Sequence, residues 1–418
     1  MDTGLETFRG QAAMVAALDG IKVLDLSRIL AGPWCTMTLA DLGAEVWKIE
    51  NPDGGDDTRT WMPPSVEGIS TYYLSVNRNK KSVAVDLKSV GGRAIVAELA
   101  ARADVFIENF RPASLAAMGL AYEQLSAVNP RLIHCSISGY GRNTPFADRA
   151  GYDFVMQAET GMMSITGETD GDPMRLGVAF VDLATGANAI QAILAALFAR
   201  ERTGRGQSID IALYDSGLHF LANIASGYLN TGINPVRFGN AHPSIVPYQL
   251  FDTADGAIAL AVGNDQQYRR LCEDVLKRDE LCSDERFRTN AARTRHRDVL
   301  VPLLAAAIGR FDTKALIAKL REYSIPAGEV RTVAEAFASE EAQARDAVMA
   351  APDPRLRQVR MVRSPLRMSA SPTAAPVAPP ALGQHTRGVL ADVLGYSEER
   401  IGELEQEGAI RCGDEAAG

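Results

Sequence analysis

Short, almost wholly apolar runs alternate with longer stretches of helical period through the first part of the chain. Residues 21–26, 44–49, 82–87, 105–107 and 132–137 are too short and too uniformly apolar to be amphipathic helices, and they read as strands. Between them, 34–42, 91 to about 101 and 113 to about 128 carry apolar positions at helical spacing. Strands of this kind are buried on both faces, which is the signature of a parallel sheet covered by helices. The alternation therefore predicts a doubly wound α/β domain, with turns such as Ala31–Gly32–Pro33 at the carboxyl ends of its strands.

Further along, 177–182 reads as a short strand ending in a single carboxylate, Asp182. A long Ala/Leu/Ile-rich helix follows, then the Gly-rich turn Thr203–Gly–Arg–Gly–Gln207 into a strand over 208–213 and a helix from Tyr214 to about Leu229. The pattern then weakens. A Gly/Asn/Pro-rich connection covers 231–248, a strand 257–262, and a charged helical region 265 to about 310. This reads as a smaller domain ending near 326–328. The tail carries a helical piece at 333–344, strands near Arg360 and Leu366, an extended Pro/Ala arm at 371–380, and a helix from Leu382 toward Leu394.

Composition narrows the classes. Acidic residues outnumber basic ones 52 to 43, and the formal charge of −9 gives no footprint for nucleic acid or an anionic membrane. Five cysteines form no CxxC pair and no cluster at metal spacing, as expected of reduced thiols in a cytoplasmic protein without a metal site. The first twenty residues read as a loose arm lacking the basic and apolar regions of a secretory signal. No stretch approaches the ~18 consecutive apolar residues of a membrane span.

Polar groups recur just beyond the predicted strands: the Ala31 turn, Lys88, Asn109 with Arg111, Tyr140 and Asp182. A basic rim joined to backbone turns suits a phosphate-bearing ligand. No GxxxxGK[ST], GxGxxG, GxSxG or HExxH pattern is present, which argues against P-loop, dinucleotide, serine-hydrolase and zincin chemistry. Asp182 has two readings. At a strand-to-helix junction it is a natural N-cap; at the same place it is the one nucleophile candidate, a carboxylate suited to acyl transfer through an anhydride that a thiolate reopens.

The segments VLDLSRILAGP, GAEVWKIE, NRNKKSVAVDLK, ADVFIENFRP, LIHCSISGYG, GYDFVMQAETG, DLATG and TGRGQ, in this order from about Leu18 to Leu404, resemble the class III CoA-transferases. That family includes formyl-CoA and carnitine CoA-transferases and the α-methylacyl-CoA racemases. The resemblance implies a large Rossmann-like domain built from both chain ends (1–225 and 329–418), a small α/β domain with linkers (226–328), and an interlocked homodimer. It implies acyl-CoA as substrate, with no prosthetic group, and Asp182 as nucleophile through aspartyl anhydride and aspartyl-CoA thioester intermediates. CoA contacts map to Leu30, Ala31, Val85, Asp86, Leu87, Lys88, Asn109, Phe110 and Arg111. Basic contacts of the family are replaced by Asn51 and Ala117, for which Arg111 offers compensation. Tyr152 stands where racemases carry His, which favours CoA transfer over racemisation. Asn240–Tyr248 and Val262–Gln267 resemble the succinyl-CoA:dicarboxylate branch. Arg59, Arg175 and Arg237, with Tyr152, are candidate substrate contacts. An acyl-CoA racemase or epimerase and a non-catalytic acyl-CoA-binding protein are the alternatives.

Overall fold

The computed structural model describes residues 15–413; the first part of the N-terminal arm lies outside them. The chain divides into two compact units. The large one comprises 1–160, 177–225 and 344–418, and the small one 161–176 and 226–343. The sequence boundaries differ from these in two places. The small unit takes in 161–176 and runs past 328 to Gln343, because β-strand Ala327–Glu329 pairs with Ala257–Ala261 in its sheet and thus ties the following helices to it.

The large unit is built on seven strands: β1 (Lys22–Asp25), β2 (Glu45–Glu50), β3 (Lys80–Val85), β4 (Val105–Glu108), β5 (Ile133–Ser138), β6 (Ser208–Ala212) and β7 (Ile410–Arg411), in the order β7-β3-β2-β1-β4-β5-β6. All neighbours run parallel except β7, which pairs antiparallel with β3. The order reverses direction between β1 and β4. Such a switch point splays the loops that follow the two strands and opens a crevice at their carboxyl ends. The apolar runs do what their composition demands: Leu24, Trp47, Val83 and Phe106 are fully buried under helix Val90–Ala100 and the C-terminal segment.

Five helices position the site: α1 (Ala31–Asp41), α2 (Thr71–Val76), α3 (Pro112–Ala117), α4 (Asp153–Glu159) and α5 (Phe180–Thr203). By length and composition α5 passes for a membrane span, contrary to the expectation from the sequence. Its Val181, Ala184, Ala189, Ile193 and Ala196 are buried in the large unit, which makes it a core helix. Gly186 lets α5 lie against α1, since a Cβ there would fall 2.7 Å from the Ala31 carbonyl oxygen and 3.0 Å from the Trp34 ring.

The small unit has a three-stranded antiparallel sheet, Tyr248–Asp252, Ala257–Ala261 and Ala327–Glu329, packed against helices around Leu271, Val275, Leu300, Leu304 and Leu316. In the tail, Arg360 lies on a strand (Arg357–Val362, paired with Val348–Asp353), whereas Leu366 lies beyond it in irregular chain.

Candidate active site

No strand precedes Asp182. The residues before it enter α5 directly, with Ala179 at the N-cap and Asp182 in the first turn. Asp182 is therefore not the cap. That role falls to Asp153, the first residue of α4, whose Oδ1 accepts the N–H of Val181 at 2.7 Å and that of Asp182 at 3.4 Å. Gln157 donates to its Oδ2 at 2.7 Å. With its own backbone served by Asp153, the Asp182 carboxylate accepts no hydrogen bond among the described residues and lines a cavity of about 490 Å³. Burial, and then the adjacent Asp153 charge, push Asp182 up to about 7. The Tyr72 phenol on α2 is pushed up to about 12 by burial and by the charges of Asp182, Asp153 and Asp56.

The opposite wall is the turn after β1. Ile29 holds φ = 75°, a conformation that a β-branched residue avoids and that marks real strain. Its neighbours hold it there. Asn109 accepts the Arg28 N–H at 3.1 Å and donates to the Arg28 carbonyl at 3.0 Å, while Asp56 accepts the Ile29 N–H. Beneath the turn lies a dry charge network. Lys48 Nζ pairs with Asp56 at 2.9 Å and donates to the Ser27 carbonyl; Lys80 Nζ lies 3.3 Å from Asp25 and donates to the Pro33 carbonyl and to Asn77. Ser27 and Thr36 complete Asp25. The Lys48 ammonium beside Asp56 holds that carboxyl down at about 2 despite its burial, and burial brings Lys80 down to about 8.

The result is that α1 begins at Ala31 with no side chain capping it from Leu30, and Leu30 and Ala31, at this uncapped end, line the Asp182 cavity. Two helix N-termini converge on one space. Each brings the positive end of its dipole, which favours negative charge there.

The predicted ligand residues gather well. Leu30, Ala31, Asn109, Phe110, Arg111 and Tyr152 line the same cavity as Asp182. Val85, Asp86, Leu87 and Lys88 line a second cavity of about 600 Å³ that shares Arg28, Phe110 and Ser114 with the first. The two cavities thus adjoin through shared wall residues, one holding the nucleophile candidate and the other the Lys88 turn. Within this set Asp86 shapes its turn by accepting the Lys88 N–H at 2.9 Å, and Glu108 accepts the Phe110 N–H at 2.7 Å. Asn51 and Ala117 line the second cavity, where Lys88 is joined by Arg93, a cation that the sequence reading did not single out.

The three arginines offered as substrate contacts are placed otherwise. Arg59 lines neither cavity: it forms a two-point pair with Glu50 at 2.8 and 2.7 Å, donates to Tyr73, and stacks on the Tyr73 ring. A guanidinium so fully engaged is a structural element. Arg237 belongs to the small unit and donates to the carbonyls of Glu168, Ser164 and Gly171, pinning the 161–176 segment. Arg175, on that segment, is exposed and donates to the Leu176 carbonyl. The arginines that do face the cavity are Arg28, Arg111 and Arg149. Arg28 is paired with Asp57 at 3.1 Å, and Arg149 with Glu159 at 2.9 Å while lying over the Tyr140 ring. Arg28 and Arg149 were missed because their placement depends on loops meeting across the sheet, which spacing does not reveal.

These features define a doubly wound α/β protein with two adjoining cavities beside the sheet's switch point, one of them lined by an unshielded carboxylate. Residues 18–386 match the model of CoA-transferase family III, and the chain belongs to that family. It is 44% identical to human succinyl-CoA:glutarate CoA-transferase over 409 residues, covering 97% of this chain and 93% of the human protein. Succinate–glutarate CoA-transferase of Agrobacterium fabrum is 44% identical over 90% of this chain and 95% of its own length. The succinyl-CoA–D-citramalate CoA-transferase of Chloroflexus aurantiacus is 36% identical over 94% and 98%. Among solved structures, a CAIB/BAIF family protein from Brucella suis superimposes with a TM-score of 0.81 at 44% identity, covering 91% of this chain and all of that one.

Proposed function

We propose that the protein moves CoA reversibly from succinyl-CoA to a second dicarboxylic acid, with Asp182 as nucleophile. The observation that carries this is the Asp182 carboxylate itself: half-buried, without a hydrogen-bond donor among the described residues, and facing a cavity that the uncapped start of α1 at Leu30 and Ala31 also lines. A shielded carboxylate is a poor nucleophile, and this one is unshielded. The relatives named for succinyl-CoA and dicarboxylates support the substrate class.

Asp182 attacks the thioester carbonyl, giving a succinyl–aspartyl anhydride and CoA thiolate. The thiolate attacks the aspartyl carbonyl of the anhydride, releasing succinate and leaving an aspartyl-CoA thioester. The acceptor carboxylate attacks that thioester, the thiolate leaves again, and its attack on the acceptor's acyl carbonyl forms the new acyl-CoA and frees Asp182. Each step passes through an oxyanion, and the positive end of the uncapped α1 at Ala31 favours negative charge in the same cavity. Lys88, Arg93, Arg28 and Arg111 give the phosphates of CoA a basic path. Of the cavity arginines, Arg111 has no intramolecular ion pair among the described residues, which suits it to an anionic ligand group.

A homodimer fits the apolar side chains left in solvent. Phe198 on α5 is 62% exposed, Leu229 is 77% exposed, and helix Ala222–Thr231 buries no residue. A reducing cytoplasmic setting fits five free thiols. The reaction needs no prosthetic group, and no three potential metal ligands cluster among the described residues.

The test is purified enzyme with succinyl-CoA and a panel including glutarate, hydroxymethylglutarate, itaconate, malate, mesaconate, carnitine, oxalate and formate, read as new acyl-CoA masses beside Asp182→Ala. A product that vanishes in the variant supports the reading. Turnover by the variant sinks Asp182, and silence across the diacids with CoA still bound removes the dicarboxylate assignment.

A further inference from the structure

α5 starts without a cap of its own, and its first turn carries Asp182. The group that closes that turn comes from another helix: Asp153 Oδ1 takes the N–H groups of both Val181 and Asp182, and Gln157 fixes Oδ2. Asp153 is buried and reaches α5 from the start of α4, directly after cavity-lining Tyr152. A neutral Asn or Ser would cap as well. The carboxylate adds a negative charge beside another carboxylate, an arrangement that costs stability and calls for a reason.

We propose that Asp153 is a positioning residue for CoA transfer: it fixes the backbone of the first turn so that the Asp182 carboxylate is held toward the cavity with no donor of its own, and it sets a second negative charge beside that carboxylate. The proposal rests on Asp182 as the nucleophile. Other groups face this corner. Tyr72 approaches from α2, Tyr152 from the N-cap of α4, and Arg28, Arg111 and Arg149 line the cavity. Arg28 and Arg149 are held in ion pairs with Asp57 and Glu159, and the Asp153 charge adds to burial in raising Asp182. The charge makes Asp182 a more basic, hence more nucleophilic, carboxylate at neutral pH. The cap keeps the gain from being lost to motion.

The experiment compares the wild-type enzyme with Asp153→Asn, Asp153→Ala and Asp182→Ala. It uses succinyl-CoA and the acceptor that the panel identifies, with kcat/KM measured from pH 5 to 9 and the aspartyl-CoA adduct followed by intact mass. Asp153→Asn keeps a carbonyl acceptor for both N–H groups and, after a flip of the Gln157 amide, a partner for its own NH2. Its acid limb is expected to fall by about one pH unit below that of wild type, with the high-pH plateau within about tenfold. Asp153→Ala is expected to lower the plateau and adduct formation about 100-fold at unchanged CoA affinity. An acid limb that stays in place in Asp153→Asn overturns the proposal, and this variant decides the matter even where Asp153→Ala fails to fold. Full activity in Asp182→Ala overturns the nucleophile itself, an outcome separable from an inert Asp182→Ala with an unmoved limb in Asp153→Asn.

Discussion

Asp182 should weaken the fold it belongs to. Its carboxyl lies at about 7 instead of the ordinary 3.8, because folding takes it out of water and sets it beside Asp153. A raised carboxyl pKa means that the folded state holds a proton which the unfolded chain has lost. Stability therefore falls as pH rises from about 4 to about 7 and stays low above that. Each pH unit is worth about 1.4 kcal/mol, so the full cost above pH 7 is roughly 4 kcal/mol, and roughly 2–4 after allowing for the solvent that still reaches a half-buried group. Asp182→Asn removes the charge at nearly constant shape. It is expected to be more stable than wild type by roughly 2–4 kcal/mol at pH 8, with the advantage shrinking to about 1 kcal/mol at pH 4.5.

Urea denaturation at the two pH values, at one protein concentration, measures this directly. The quantity to compare is the gap between variant and wild-type midpoints, with m checked for constancy. A gap that is the same at pH 4.5 and pH 8, or a variant less stable than wild type at pH 8, would refute the assignment of an uncompensated carboxylate at this position. The measurement needs no substrate and so separates the electrostatics of the site from its chemistry.

Other expectations follow from the same geometry. Gly186→Ala places a methyl 2.7 Å from the Ala31 carbonyl, so it should destabilise by about 1–3 kcal/mol and lower kcat by displacing α5 from α1, as read by thermal melting and steady-state kinetics. Asp56→Ala strands the buried Lys48 ammonium and releases the Ile29 turn, with an expected loss of about 3–5 kcal/mol in denaturant titration. Asn109→Ala removes both hydrogen bonds to the Arg28 backbone; KM for acyl-CoA should rise about tenfold with a stability loss near 1 kcal/mol. Lys88→Ala and Arg93→Ala should each weaken CoA binding about three- to tenfold in calorimetry, with the difference shrinking at 1 M salt.

Most of the sheet was legible because its central strands are apolar and short, and the pattern pointed to the crevice at their carboxyl ends; the edge strand Ile410–Arg411, only two residues long, left no such signal. Family motifs singled out residues 30–31, 85–88 and 109–111, and these line two adjoining cavities. The errors are local and share a cause. Gly177–Asp182 looked like a strand because it is apolar, but no neighbouring strand was there to pair with it, and the chain enters the helix at Phe180. Asp182 looked like a cap because short-range rules see only the junction. The true cap is 29 positions earlier in the chain, on another helix, and no local signal marks that partnership. Arg59 was similarly ambiguous, since an arginine in a Gly/Asp loop reads the same whether it meets a substrate or, as here, Glu50.

The distribution of charge in this unit follows one logic. Under the turn after β1, the carboxylates of Asp25 and Asp56 are matched by buried ammonium groups and hydroxyls, and the network holds a strained backbone that an unpaired turn would relax. Across the cavity, Asp182 sits beside the buried Asp153 carboxylate, and neither has an ion-pair partner among the described residues. The first arrangement is stabilising and rigid, and it borders the uncapped start of α1. The second is destabilising, and it leaves one carboxylate bare. An attack on a thioester needs both at once: a fixed array of donors where negative charge develops, and a nucleophile whose own negative charge is poorly solvated. The well-paired wall supplies the rigidity that lets the badly paired one persist, so loosening Asp56 or Asn109 should cost activity even though neither side chain meets the reacting atoms.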